Sequence, residues 1–212
     1  MTTMTTPSAV SPPLENWLDA QFAEHASVLS ATRLQCGTVL LAAVEACAAC
    51  ISQGGKILFC GNGGSAADAQ HLATELTIRY KTNRLPIAGI ALTTDTSALT
   101  ACGNDLGFDE IFSRQVHALG RPGDVLIGIS TSGNSQNVIL AAEKAAELQI
   151  QTIAFVGGSG GKLADLSAIA LKVPSRTTAR IQEMHIFLGH LLCELLEQRL
   201  GLVEESSHAA AR

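Results

Sequence analysis

From residue 56 onwards the chain alternates short apolar runs with segments of helical spacing. "KILFC" (56–60), "IAGIAL" (87–92), "DVLIGIS" (124–130), "QTIAFVG" (151–157) and "IALKV" (169–173) are rich in Ile, Leu and Val. Continuous apolar runs of this length read as strands covered on both faces. "TSALTACG" (96–103), the Ala-rich stretch 134–148, "GKLADL" (161–166) and residues 178–200 read as helices. Such alternation predicts parallel strands joined by crossover helices that cover both faces of one sheet. The expected fold is α/β, a three-layer αβα sandwich with a central five-stranded parallel sheet.

Upstream, apolar residues recur at three- and four-residue spacing: Trp17, Phe22 and Val28, then Val39, Leu40, Val44, Cys47 and Ile51. Gly54-Gly55 closes this region, which is expected to be an N-terminal helical pair. Residues 1–13 and 203–212 lack such periodicity and are expected to be disordered tails, leaving 14–202 as a single domain. His208, in the second tail, is expected to be incidental. No apolar run of about 18 residues stands out as a membrane span, and the N-terminus has neither a basic start nor an apolar core of a secretory signal. The expectation is a cytoplasmic protein with no membrane partner.

Composition refines this picture in three ways. Aromatics make up 4% of the 212 residues, so the core is built from Ala, Leu, Ile and Val. The net charge is −5 and basic runs are lacking, which argues against nucleic acid. A phosphate ligand must then be small and held by local geometry. The six cysteines are scattered through apolar segments, as expected for buried thiols in a reducing compartment. Cys47-Ala-Ala-Cys50 has redox-motif spacing but lies in an Ala-rich helical run, so core packing is expected there.

Two loops after strands are small and polar. Ser130-Thr131-Ser132-Gly133-Asn134-Ser135 places four hydroxyls and a glycine at the start of a helix, where unpaired N–H groups favour an anion. A helix cap alone needs one serine. The loop lacks the Gly-Lys-Ser/Thr of a Walker A motif, and Gly61-Asn62-Gly63-Gly64-Ser65 lacks the spacing of a dinucleotide fingerprint. A phosphomonoester on a small molecule fits better.

The helix opened by the Gly63-Gly64 turn carries His71 and Glu75 on one face, about 6 Å apart at their bases. An exposed pair or a packed histidine competes here with a metal or proton-transfer site. Arg79, four residues on, reads either as an ion-pair partner of Glu75 or as a substrate contact. On the final helix, Gln182 and His190 are eight residues apart, about 12 Å along the axis. They could lean towards a common point or serve sites in different subunits.

Five stretches together resemble the sugar isomerase (SIS) domain family, and within it the phosphoheptose isomerases. They are "CGNGGSAADAQH" (60–71), "TELTIRY" (74–80), "GNDLGFDEIFSRQV" (103–116), "GDVLIGISTSGNS" (123–135) and "RIQEMHIFLGH" (180–190), in family order. The resemblance implies a flavodoxin-like SIS fold and a cytoplasmic homotetramer that isomerises sedoheptulose 7-phosphate to D-glycero-D-manno-heptose 7-phosphate. That reaction begins nucleotide-activated heptose synthesis. One Zn2+ per subunit is implied, on His71, Glu75, Gln182 and His190, with Glu75 and His190 as the acid/base pair. Substrate contacts are implied for Asn62, Gly63, Gly64, Ser65, Glu75, Asn104, Asp105, Ser130, Thr131, Ser132, Ser135 and Gln182. Thr74 and Ala179 depart from some members, which have acidic residues there. Two relatives of the same fold offer other readings. One is a non-catalytic tetramer that binds the replication initiator DnaA, and the other a regulatory sugar-phosphate-binding module. Neither requires an acid/base pair, so Glu75 and His190 favour the enzyme.

Overall fold

Strands β1 (Ile57–Gly61), β2 (Gly89–Ala91), β3 (Val125–Ser130), β4 (Gln151–Gly157) and β5 (Ile169–Val173) form one parallel sheet in the order β2-β1-β3-β4-β5. The computed structural model describes residues 13–203. All but the innermost residue of each expected tail, and His208, lie outside the described residues. Side chains alternate across the sheet with the period of two that a strand imposes. Ile57, Phe59, Val125, Ile127, Ile153 and Phe155 pack on one face with helices α1 (Leu14–Ser52), α2 (Gly64–Thr77) and α7 (Thr178–Arg199). Leu58, Cys60, Leu126, Ala154 and Val156 pack on the other with α4 (Ser113–Leu119), α5 (Gln136–Glu147) and α6 (Gly161–Leu166). The three-layer αβα sandwich follows from this double burial.

The expected N-terminal pair is instead the single 39-residue helix α1. No proline or capping turn interrupts residues 14–52, and Gly37 is tolerated inside the helix with the Arg33 guanidinium lying over it. The two apolar groups seen in the sequence are two parts of one helix. Its buried positions run from Val28 to Cys50, while Leu14, Trp17 and Phe22 remain exposed. By length and composition α1 could cross a membrane, so the expectation that no segment reaches that threshold needs correction. Its buried positions belong to the protein core shared with α7 and β5.

Smaller features of the fold refine the sequence reading. The run 87–92 yields only a three-residue edge strand, β2, paired with β1 alone. A 3-10 turn at Phe108–Glu110 and the short helix α4 were not anticipated, since seven residues are too few to display a helical period. Cys47 and Cys50 are both buried free thiols in α1. Burial pushes the Cys50 thiol up to about 11 and Cys47 higher still, which suits packing rather than redox exchange.

Candidate active site at the carboxyl edge of the sheet

The strand order reverses at β1: the chain moves outward to β2, then returns to β3 on the other side of β1. In open α/β sheets a crevice forms outside the carboxyl ends of the strands at such a switch point. Here those ends are Gly61 and Ser130, paired strands whose register matches Gly61 with Ile129. The two polar loops therefore emerge side by side. They are tied together by a reciprocal amide pair: Asn62 and buried Asn137 each donate Nδ2 to the other's Oδ1 at 2.8 Å. Gly63 then turns the chain into α2 with φ 56° and ψ −119°, a conformation that favours glycine.

The serine loop is shaped by close backbone packing. Gly133 has φ +67°, and a Cβ there would lie 1.8 Å from the Gly160 carbonyl oxygen. Gly133 N–H donates to the Ser130 carbonyl at 3.0 Å, and its own carbonyl accepts from Leu163 N–H at 2.9 Å. Ser135 occupies the N-cap of α5 but makes no side-chain cap bond. Its hydroxyl faces that of Ser130 at 3.0 Å instead. Ser132 Oγ accepts from Asn134 N–H at 3.1 Å, leaving its own proton available to a ligand. The loop thus presents hydroxyls and the first-turn N–H groups of α5 together, an arrangement suited to an anion.

One α-helical turn separates His71 from Glu75, and His71 Nε2 lies 3.2 Å from Glu75 Oε1. His190, on α7, brings its Nε2 to 2.8 Å from His71 Nε2. A close approach of α2 and α7 makes this possible: a Cβ on Gly189 would lie 2.6 Å from the Leu72 side chain. Tyr80 covers the other side of His190, with ring centroids 5.5 Å apart. Burial lowers the His190 pKa and His71 adds to that effect, while Glu75 opposes it. One donor atom from each of His71, Glu75 and His190 lies within 4.8 Å of the others, so the three form a group that could hold a metal ion. Two imidazole nitrogens and a carboxylate oxygen suit a divalent transition ion.

The SIS domain family matches residues 21–157, more than half of the chain. A phosphoheptose isomerase from Paramagnetospirillum magneticum is 56% identical over 181 residues, covering 85% of this chain and 94% of that protein. This chain belongs to the phosphoheptose isomerases of the SIS domain family. The structure of phosphoheptose isomerase GmhA from Neisseria gonorrhoeae aligns with a TM-score of 0.82 at 49% identity, covering 87% of this chain and 99% of that one. A phosphoheptose isomerase from Francisella tularensis aligns with a TM-score of 0.84 at 39% identity, over 86% and 97% of the two chains. This chain is an isomerase enzyme.

The other residues named from the phosphoheptose isomerase resemblance are distributed unevenly. Gln182 lies against the start of α2, its Nε2 2.7 Å from where a Cβ on Gly64 would sit. Gly64 is seven residues before His71, about 10 Å along the helix. Within one chain, Gln182 therefore meets the glycine turn, while His190 meets His71. Ser65 is buried beneath Gly61. Thr131 is half-buried at the end of β3, and its carbonyl accepts from Gly157 N–H. Asn104 and Asp105 close the exposed end of α3 (Thr96–Asp105) and bond to each other at 2.7 Å. Among the described residues, no side-chain hydrogen bond joins them to the triad or the serine loop. Arg79 is exposed beyond the end of α2 and forms no ion pair with Glu75 among the described residues, so the helical-pair reading fails because the helix stops at Thr77. The sequence reading overlooked Arg84, whose guanidinium is buried against the end of α2. An arginine in a polar loop reads as a solvated charge, and only the fold reveals its partners.

Proposed function

We propose that this isomerase converts sedoheptulose 7-phosphate, a ketose, to D-glycero-D-manno-heptose 7-phosphate, an aldose. This would be the first step towards nucleotide-activated heptose for the cell envelope. The observation that carries the reading is the convergence of Glu75 and His190, from helices distant in sequence, on one point with His71. Aldose–ketose exchange moves a proton from C1 to C2 through an enediol, while a second proton moves between the two oxygens. It therefore needs one group for the carbon-bound proton and one for the oxygen-bound proton.

Glu75 accepts the C1 proton on its carboxylate and returns it to C2. His190 moves the other proton from O1 to O2. Burial, with His71 beside it, lowers its pKa, which favours the neutral ring that can first accept a proton. Ser130, Thr131, Ser132 and Ser135 hold the phosphate far from the reacting carbons. Asn62, Gly63, Gly64 and Ser65, with Asn104 and Asp105, contact the sugar. The amide pairing of Asn62 with Asn137 leaves Asn62 one N–H and one lone pair for that purpose.

His71, Glu75 and His190 would hold one Zn2+ per subunit, with Gln182 as a fourth ligand supplied by a neighbouring subunit, since within one chain it meets Gly64 instead. When bound, the ion supplies Lewis-acid stabilisation for the negative charge that develops at the sugar oxygens. A homotetramer in the cytoplasm completes the reading, with no nucleic-acid or membrane partner. Support for assembly comes from exposed apolar side chains on α1, including Leu34 at 87% and Phe22 at 69% exposure. A groove of about 720 Å3 between α1 and α7, lined by Leu34, Leu41, Phe187 and Leu191, adds to that apolar surface. Conversion of sedoheptulose 7-phosphate by the purified protein, lost on replacement of Glu75, tests the reading.

A further inference from the structure

The helix that carries Glu75 ends abruptly. Ile78 N–H makes the last helical bond, to the Thr74 carbonyl, and the chain then leaves the axis. The carbonyls of Glu75 and Leu76 thus lack the usual partners four residues on. Arg84 supplies donors to both. Its Nη2 donates to the Glu75 carbonyl at 2.7 Å and its Nη1 to the Leu76 carbonyl at 2.7 Å. Nη1 also donates to the Leu85 carbonyl at 3.1 Å. A cation at a helix C-terminus is favoured by the helix dipole as well as by these bonds.

The same guanidinium reaches the other catalytic helix. Arg84 Nε donates to Glu197 Oε1 at 2.7 Å, and both side chains are almost wholly buried. Glu197 Oε1 also accepts from the N–H of Tyr80, the residue whose ring covers His190. Glu197 is seven residues after His190 on α7, two turns away. One buried side chain therefore bonds to the backbone of Glu75, to the helix that carries His190, and through Glu197 to the residue packed on His190.

We infer that Arg84 is a positioning residue for the isomerisation: it fixes the Glu75 carboxylate relative to His190. This rests on the proposed roles of Glu75 and His190. Without Arg84 the Ile87 N–H still bonds the Leu76 carbonyl, but the Glu75 carbonyl loses its donor and the buried tie to Glu197 is broken; displacement of a reacting group by about 1 Å can lower a rate by about 100-fold. Arg84 itself is set back from the sugar and touches the site through the main chain.

Two variants separate positioning from simple stability. Arg84→Lys keeps the charge but lacks the planar fork that reaches three carbonyl groups and a carboxylate. The double variant Arg84→Met/Glu197→Met replaces the buried pair by apolar volume, which is often close to neutral for stability. Each is measured for kcat and KM, and separately for Co2+ affinity at the His71/Glu75/His190 group by absorption titration. Wild-type turnover is measured first and decides the underlying reading; the Co2+ titration then judges Arg84 even if that reading fails. The expected result is a kcat lower by about 10- to 100-fold with KM within about threefold, and Co2+ bound about tenfold more weakly, in variants whose thermal midpoint stays near that of wild type. Folded variants with wild-type kcat and Co2+ affinity, or with KM alone raised, would overturn the inference. If the double variant does not fold, Arg84→Lys decides by the same readouts.

Discussion

His71 and His190 lie 119 residues apart in the chain, yet their Nε2 atoms face each other at 2.8 Å. Two neutral imidazoles can share such a contact only if one donates a proton to the other. A divalent ion would take that proton's place, with both nitrogens as donors. Zinc near one equivalent per chain is therefore expected by elemental analysis of protein prepared without chelator. His71→Ala should reduce it to a small fraction of that. Full zinc occupancy in His71→Ala would remove His71 from the ligand set.

The serine loop predicts a change in binding without a change in chemistry. In a seven-carbon sugar the phosphate is remote from C1 and C2, so its contacts act equally in ground and transition states. Ser130→Ala also removes the hydroxyl facing Ser135. Ser132→Ala removes the acceptor for Asn134 N–H. Loss of one hydrogen bond to a charged group, about 1.5–3 kcal/mol, should raise KM by about 10- to 100-fold with kcat within a few-fold. Steady-state kinetics on both variants checks this; an unchanged KM in both would place the phosphate elsewhere.

His185 makes acid stability measurable. It is completely buried on α7 beside Phe155, and neither ring nitrogen has a hydrogen-bond partner among the described residues. Burial pushes its pKa from 6.5 down to about 4, with a smaller opposing pull from the backbone at Val156. Above pH 6.5 the ring is neutral in both folded and unfolded chains, and its contribution is constant. As pH falls from 6.5 towards 4, the unfolded chain binds a proton that the fold excludes, and stability is lost. The loss levels off below about pH 4 and is on the order of 3 kcal/mol. Urea midpoints measured across this window should fall in wild type and flatten in His185→Phe. Equal slopes in the two proteins would show that His185 is protonated in the fold.

The sheet was legible because its strands are continuous apolar runs covered on both faces, as Leu58 and Phe59 show by facing different helical layers. The crevice was legible from Gly63 and the Ser130–Ser135 loop, whose small and polar residue types suit a shaped backbone turn rather than packing. Other relations depend on distance in the chain and leave no local trace. The Asn62–Asn137 amide pair spans two strands, and the Arg84–Glu197 pair joins a loop to the final helix. The continuity of α1 was hidden because its first half is apolar yet exposed, so the spacing suggested two helices. The eight-residue separation of Gln182 and His190 left a common point and separate sites both open, and only the parallel packing of α2 and α7 sets one against Gly64 and the other against His71.

The central claim is tested most directly by incubating purified protein with sedoheptulose 7-phosphate and following C1 and C2 by NMR, with zinc supplied. Wild type should form D-glycero-D-manno-heptose 7-phosphate, and Glu75→Gln and His190→Gln should each lower kcat by about 100- to 10,000-fold while remaining folded. Wild-type protein that is folded and zinc-loaded yet forms no aldose, above all one that binds DnaA tightly, would contradict the account.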